Sequence, residues 1–223
     1  FPEIAFFSGL YNDHAPCIHP DGSVFIYQTD RPLPESEPQY KWNFWIMKRQ
    51  GEKWSDPVPM GPPINGRGNV FGPSLARNGN LYFTRELEDG SQVIFYSRFQ
   101  DDGYQEPHPL PSSVNSTRSQ FDAAVAPDES YLIVPSYGRE DTLGSTDYYI
   151  SFRDSTGGWS QLINLGKEFN TDKVESGPYI SPDGRFIFFQ SYGLRTEFPE
   201  KGTPVRYEDM LKTTEERVRT QNA

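Results

Sequence analysis

Cysteine is almost absent from this chain. Its one representative, Cys17, has no partner for an intrachain disulfide, and a single thiol excludes a zinc site built from cysteines. Basic residues are also scarce: 21 Lys and Arg stand against 31 Asp and Glu, a net charge of −10. A phosphate backbone would be repelled, so nucleic acid is not an expected partner. The acidity is read as a solvated face or as attraction for a basic partner. No apolar run reaches the roughly 18 residues that a membrane-crossing helix needs, so no membrane span is expected. No charged segment followed by an apolar stretch opens the chain, so no signal peptide is expected. The start at Phe1 rather than Met points to an upstream segment that has been removed. The sequence also lacks Gly-x-Ser-x-Gly, a phosphate loop, a dinucleotide fingerprint and His-Glu-x-x-His. No cofactor and no metal are expected.

The residues that are abundant are turn formers and aromatics. There are 19 Gly and 20 Pro, which interrupt helices and strands alike, and 4 Trp, 13 Tyr and 16 Phe, which favour strands. Together they describe many short strands joined by turns and argue against a helical bundle, a coiled coil or a disordered chain.

Internal repetition organises these strands. Four turn segments align: His19-Pro20-Asp21-Gly22, Ala76-Arg77-Asn78-Gly79, Ala126-Pro127-Asp128-Glu129 and Ser181-Pro182-Asp183-Gly184. Proline presets φ, Asp bonds its own backbone and Gly accepts positive φ, so each segment predicts a tight hairpin. Apolar strands follow them at Val24–Tyr27, Leu81–Phe83, Tyr131–Val134 and Phe186–Phe189. Trp54, Tyr104 and Trp159 each precede an asparagine (Asn65, Asn115, Asn170) by eleven residues, and each asparagine precedes its turn residue (Asn78, Asp128, Asp183) by thirteen. A third strand is expected at Asn43–Met47, Val93–Tyr96 and Asp147–Ile150. A fourth is expected to begin at the Trp or Tyr, as in Trp159–Ile163.

Four strands in about 50 residues is the size of a propeller blade, which must stack on its neighbours to bury both faces. The expected fold is therefore an all-β propeller over residues 1–202 with four blades; five blades or a truncated larger ring are the alternatives. An open all-β sandwich is the competing architecture. The N-terminal Phe1–Phe7 is placed to supply the fourth strand of the last blade. Thr203-Pro204 resembles a helix start, which predicts a short helix over about 205–219 within a C-terminal tail, 203–223.

The pattern Trp-Ser, Leu-Gly, Asn, Pro-x-x-x-Pro-Asp-Gly resembles the WD40-like, TolB-type β-propeller repeat. It is most complete at Trp159-Ser160, Leu165-Gly166, Asn170, Pro178 and Pro182-Asp183-Gly184. A second copy holds Trp54-Ser55, Met60-Gly61, Asn65 and Pro73, and a third holds Tyr104, Leu110-Pro111, Asn115 and Pro127-Asp128-Glu129. The resemblance implies a binding or scaffolding domain in a periplasmic or secreted setting. It supplies no shared catalytic residues.

The first strand of each blade lines the axis of a propeller, so the register identifies the residues placed there. Eight residues before the turn stand Asp13, Val70, Gln120 and Glu175. The next position holds His14, Phe71, Phe121 and Ser176, and the one after holds Ala15, Gly72, Asp122 and Gly177. These polar groups face channel water or bond loop amides, or else they form a ligand site with Phe71 or Phe121 stacking on a polar or carbohydrate ligand. A carbohydrate-active enzyme is the alternative, with Asp13, Asp122 and Glu175 as its carboxylates. Asn12-Asp13-His14-Ala15-Pro16 superficially resembles the first acidic motif of five-bladed glycoside hydrolases, a resemblance that implies modulator and general-acid roles for Asp122 and Glu175. Arg31, Arg85, Arg139 and Arg195 follow the second strands, where they would bind acids such as Asp30, Glu86 and Glu140 or receive a ligand's carboxylate or phosphate. His19 and His108 read as exposed turn residues, and Cys17 as a small buried one. The leading expectation is recognition of a protein or polar ligand at one mouth of the ring.

Overall fold

The computed structural model describes residues 10–35 and 38–192. The fourth strand expected from Phe1–Phe7, the boundary at residue 202, the helix over 205–219 and Arg195 lie outside the described residues. Those that are described form strands and turns and no helix, so none of them makes a helix long and apolar enough to cross a membrane.

The first blade consists of β1 (Asp13–Ile18), β2 (Val24–Thr29) and β3 (Asn43–Gln50), edged by β4 (Lys53–Trp54) and β5 (Val58–Pro59). The second runs through β6 (Val70–Leu75), β7 (Leu81–Glu86) and β8 (Gln92–Ser97), followed by β9 (Phe99–Gln100), β10 (Gly103–Tyr104) and β11 (His108–Pro109). The third holds β12 (Ser119–Gln120), β13 (Ala124–Val125), β14 (Tyr131–Tyr137), β15 (Thr146–Phe152) and β16 (Ile163–Asn164). The fourth has β17 (Glu175–Ile180) and β18 (Ile187–Ser191). Within each blade the long strands pair antiparallel in chain order. Inner strand follows inner strand around one axis: β1 lies against β6, β6 against β13, and β13 against β17.

The four hairpins close in the same way. Gly22, Gly79, Glu129 and Gly184 each donate their N–H to the carbonyl three residues back, at 2.8 to 3.0 Å, and each has positive φ. The preceding Asp or Asn accepts from the amide two residues on, as in Ser130 N–H to Asp128 Oδ1 at 3.0 Å. This is the Asp-Gly turn chemistry expected from the sequence.

The outer edge departs from expectation. A continuous fourth strand does not form; it breaks into two-residue pieces, β4 with Trp54 and β5 in the first blade, β10 with Tyr104 and β11 in the second, and β16 alone in the third. Prolines at 57, 59, 107 and 109 lack the N–H that a ladder needs. The repeat asparagine makes up the loss. Asn65 Oδ1 accepts the Phe44 N–H at 2.9 Å while its Nδ2 donates to the Phe44 carbonyl at 2.9 Å. Asn115 does the same to Ile94, at 2.9 and 3.0 Å, and Asn170 to Tyr148, at 2.7 and 3.1 Å. A primary amide offers one acceptor and two donors, so it completes a backbone edge as a peptide would.

The core lies between blades. Ile26, Phe44 and Cys17 of the first blade pack on Val70, Leu81 and Phe83 of the second. Tyr82 and Ile94 of the second pack on Leu132, Val134 and Tyr149 of the third. A polar tie reinforces the second interface. Glu129 is buried, and its carboxylate accepts from Asn78 Nδ2 (2.9 Å), Asn80 Nδ2 (2.9 Å), Tyr82 Oη (2.8 Å) and Arg153 Nη1 (2.9 Å). Burial alone would raise this carboxyl, but its hydrogen bonds and the Arg153 charge hold it below the usual glutamate value.

Two predictions follow from these ties. Asn65→Ala removes both hydrogen bonds at a buried site and strands the Phe44 N–H, so urea unfolding should show a loss of about 2–3 kcal/mol. An unchanged midpoint would contradict the bracing role. Glu129→Gln should destabilise by about 1–2 kcal/mol at neutral pH. The folded pKa of Glu129 lies below the unfolded one, so its stabilisation is full above the unfolded value near 4.3 and fades as pH falls through the folded value. The gap between wild type and variant should therefore narrow in acid; a gap that stays constant would count against the charge-assisted network.

Candidate functional site

Each inner strand is interrupted at the same place. Pairing shifts register between His14 and Cys17, between Phe71 and Ser74, and between Ser176 and Tyr179, and in the third blade the strand divides into β12 and β13. The residue at each break has positive φ: Ala15 at 45°, Gly72 at 53°, Asp122 at 49° and Gly177 at 58°. These are the four residues that the register aligns six positions before the turn. A bulge frees a backbone N–H, and the preceding blade satisfies it: Gly72 N–H reaches Gln28 Oε1 at 3.4 Å and Asp122 N–H reaches Thr84 Oγ1 at 2.8 Å.

The four bulges and three of the turns beyond them surround one cavity of about 450 Å³. Its wall is apolar and stiff, with Pro16, Pro73 and Pro178 at the bulges and Pro20, Pro127 and Pro182 at the turns. Cys17, Leu75, Val125 and Tyr179 fill the spaces between them. Cys17 is buried, as expected, and desolvation pushes its thiol up to about 12. Among the described residues, Asp122 is the only one on this wall that carries a charge at neutral pH. Its carboxyl sits against β6, where a Cβ on Gly72 would come within 2.3 Å of Asp122 Oδ1. Glycine at 72 is thus what admits the carboxyl. Desolvation raises the Asp122 pKa to about 6.

The other expected site residues have different surroundings. Asp13, Gln120 and Glu175 occupy matched places ahead of the bulge, opposite Thr29, Ser136 and Ser191, but none of the three lines the cavity. Glu175 is buried and its Oε1 accepts from Thr171 Oγ1 (2.6 Å) and Ser191 Oγ (2.8 Å). Gln120 closes on Thr117, accepting its N–H and donating to its carbonyl, both at 2.8 Å. These two side chains brace the loop that enters each inner strand. His14 is exposed and meets Trp42 edge-on, ring centroids 5.3 Å apart. Phe71, Phe121 and Ser176 are half-buried and off the cavity wall. Among the described residues no cluster of three His, Cys, Asp or Glu could hold a metal ion.

The arginines share a role that the sequence did not reveal. Arg31 stacks over Trp45 (4.9 Å), Arg85 over Phe95 (4.8 Å) and Arg139 over Tyr149 (4.6 Å), three equivalent aromatic positions on the third strands. Arg85 is buried and donates to the Pro63 and Ile64 carbonyls, at 3.2 and 2.8 Å. Arg139 pairs with Asp141 at 3.3 Å rather than with Glu140. The acids expected to pair with Arg31 and Arg85 are engaged elsewhere: Asp30 accepts from Asn12, and Glu86 from Asn69. His19 is buried rather than exposed, its Nδ1 2.6 Å from Asp21 Oδ1, because the hairpin folds back over it. His108 is exposed as expected.

Asp122 carries a stability signature. Its folded pKa of about 6 lies above the unfolded value near 3.9, so the folded state holds the proton more tightly and stability declines as pH rises between those values. Asp122→Asn should be more stable than wild type at pH 8 by on the order of 2 kcal/mol, with the gap closing toward pH 4. Thermal melts across that range test this; a gap independent of pH would contradict a desolvated carboxyl.

Comparison with known proteins bears on the fold. No family model matches the chain, and no curated protein matches it. Among solved structures it is similar to TolB from Acinetobacter baumannii, with TM-score 0.53 and 15% identity over 83% of this chain and 39% of that one. It also matches a candidate TolB from Agrobacterium tumefaciens, with TM-score 0.49 and 17% identity over 81% of this chain and 59% of that one. A candidate 6-phosphogluconolactonase from Bacteroides uniformis matches with TM-score 0.47 and 15% identity, over 84% and 49% of the two chains. The chain spans about two fifths of the length of the Acinetobacter protein. Identity this low speaks to architecture alone, and the architecture is all-β and propeller-like, of the TolB type.

Proposed function

We propose that the chain is a binding module and that its site is the cavity at the hub. One observation carries this reading: four bulges, far apart in sequence and alike in conformation, converge on a single apolar space of about 450 Å³, and among the described residues Asp122 alone brings a charge to it. That volume suits a small molecule or a few side chains of a peptide. A wall of prolines on paired strands changes little on binding, so little ordering entropy is lost when a ligand enters. The apolar lining favours a ligand that is mainly hydrophobic over the strongly polar one expected from the sequence. Glycoside hydrolysis through Asp13, Asp122 and Glu175 needs carboxyls that share one cleft, whereas Asp122 faces the cavity without the other two. A periplasmic or secreted setting belongs to the same proposal and rests on the repeat pattern alone.

The test is occupancy of the cavity. The neutral dye N-phenylnaphthylamine should bind the wild-type chain with enhanced emission. Ile18→Trp places a large ring on an exposed strand position of the cavity wall and should weaken that binding at least about tenfold. Undiminished binding by this variant would move the site elsewhere.

A further inference from the structure

Asp122 is where this structure departs from its own pattern. At the matching bulge positions two of the other blades use glycine, the residue that adopts positive φ without strain, and the first uses alanine. The third blade places a carboxyl there instead, on a backbone at φ 49° and half-buried on the cavity wall. Its N–H is held by Thr84, but among the described residues no donor reaches either carboxylate oxygen, and no Lys, Arg or His lines the same wall. A carboxylate that faces an apolar cavity without a donor from the described residues adds no visible cohesion to the fold. Glu129, also at a left-handed position in the same blade, shows the opposite case, with four donors around its carboxylate.

We propose that the hub cavity takes a ligand with an apolar body and one protonated amine, and that Asp122 is the counter-ion of that amine. The inference deepens the binding-module reading and rests on it. The chemistry of the wall discriminates among ligand classes. A polyol needs many hydrogen-bonding partners, yet the wall is largely proline and aliphatic, and its Ser74 hydroxyl already accepts the Val125 N–H at 2.9 Å. An anion would face Asp122 and a chain of net charge −10. A divalent metal would lack further ligands, since no suitable cluster exists among the described residues. An ammonium on an apolar stem satisfies both features, because its charge pairs with Asp122 while the stem covers the prolines.

Calorimetric titration with three probes of similar shape tests the assignment: phenethylamine, phenethyl alcohol and hydrocinnamate. The wild-type chain should bind the amine about tenfold or more tightly than the alcohol, and the anion least. The advantage of the amine should vanish in Asp122→Asn, which keeps the shape and tolerates left-handed φ. It should also vanish in Asp122→Gly, the residue native to two sister blades. The other titratable groups around Asp122 are Cys17 and Tyr179 on the wall and Tyr148 behind it, all raised by burial and neutral below pH 7. Affinity for the amine should therefore fall about tenfold per pH unit below the Asp122 value of about 6. Equal binding of amine and alcohol to wild type, or an amine preference that survives both variants, overturns the counter-ion role. Failure of all three probes while N-phenylnaphthylamine still binds overturns the ligand class and leaves the cavity as the site. Failure of the dye as well overturns the binding-module reading itself.

Discussion

The asparagine brace is the interaction on which the rest of the architecture depends. Prolines in the outer segments deny β3 and β8 a continuous neighbour, β15 meets only the two-residue β16, and Asn65, Asn115 and Asn170 bond the N–H and carbonyl of Phe44, Ile94 and Tyr148. Each brace also fixes where the chain turns inward. Thirteen residues later the next hairpin must close, and between the two lies the bulge that faces the axis. Had the outer strand paired along its length, the path to the hub would not need to be held by one side chain. The link between brace and bulge explains why the spacing repeats without gaps although the residues around it vary.

The third blade departs twice from the glycine pattern of its neighbours. Glu129 takes the turn position that the other blades give to glycine, and Asp122 takes the bulge position at which two of them use glycine. The two carboxyls have opposite surroundings. Four donors hold Glu129 ionised between two blades, while Asp122 looks into an apolar cavity and is pushed toward neutrality. The first arrangement explains itself as cohesion between the second and third blades. The second does not, and an acid at positive φ on an apolar cavity wall is the kind of outlier that points outward to a ligand.

Much of the fold was legible in the sequence because its signals are local. Turn chemistry at Asp21, Asn78, Asp128 and Asp183 predicts the hairpins, and the spacing of Trp54, Tyr104 and Trp159 from their asparagines predicts the blade. The broken outer strand was not read, although prolines at 57, 59, 107 and 109 announce it. The site was only partly legible. The register placed Asp122 on an inner strand but treated it as one of three equal carboxylates. Asp13 and Glu175 sit two residues earlier, ahead of the bulge, and a bulge changes which way side chains point. The arginine stacking on Trp45, Phe95 and Tyr149 escaped notice because the offsets of the arginines vary while their aromatic partners keep step. The burial of His19 depends on a hairpin folding back over it, which no spacing reveals.

The fourth blade stands apart within the described residues. β17 and β18 pair only with each other, no asparagine brace reaches them, and Phe186, Phe188 and Phe189 on or beside β18 remain exposed. Stability in such a stack is a property of neighbours, so the blades do not share one lifetime. Amide protons of β18 would be the earliest to trade with solvent deuterium, while those of β7 and β14, enclosed between braced sheets, would outlast them. The described strands would then open from that flank, and the hub would lose its wall at Tyr179 and Ile180 before the interface between the second and third blades gave way.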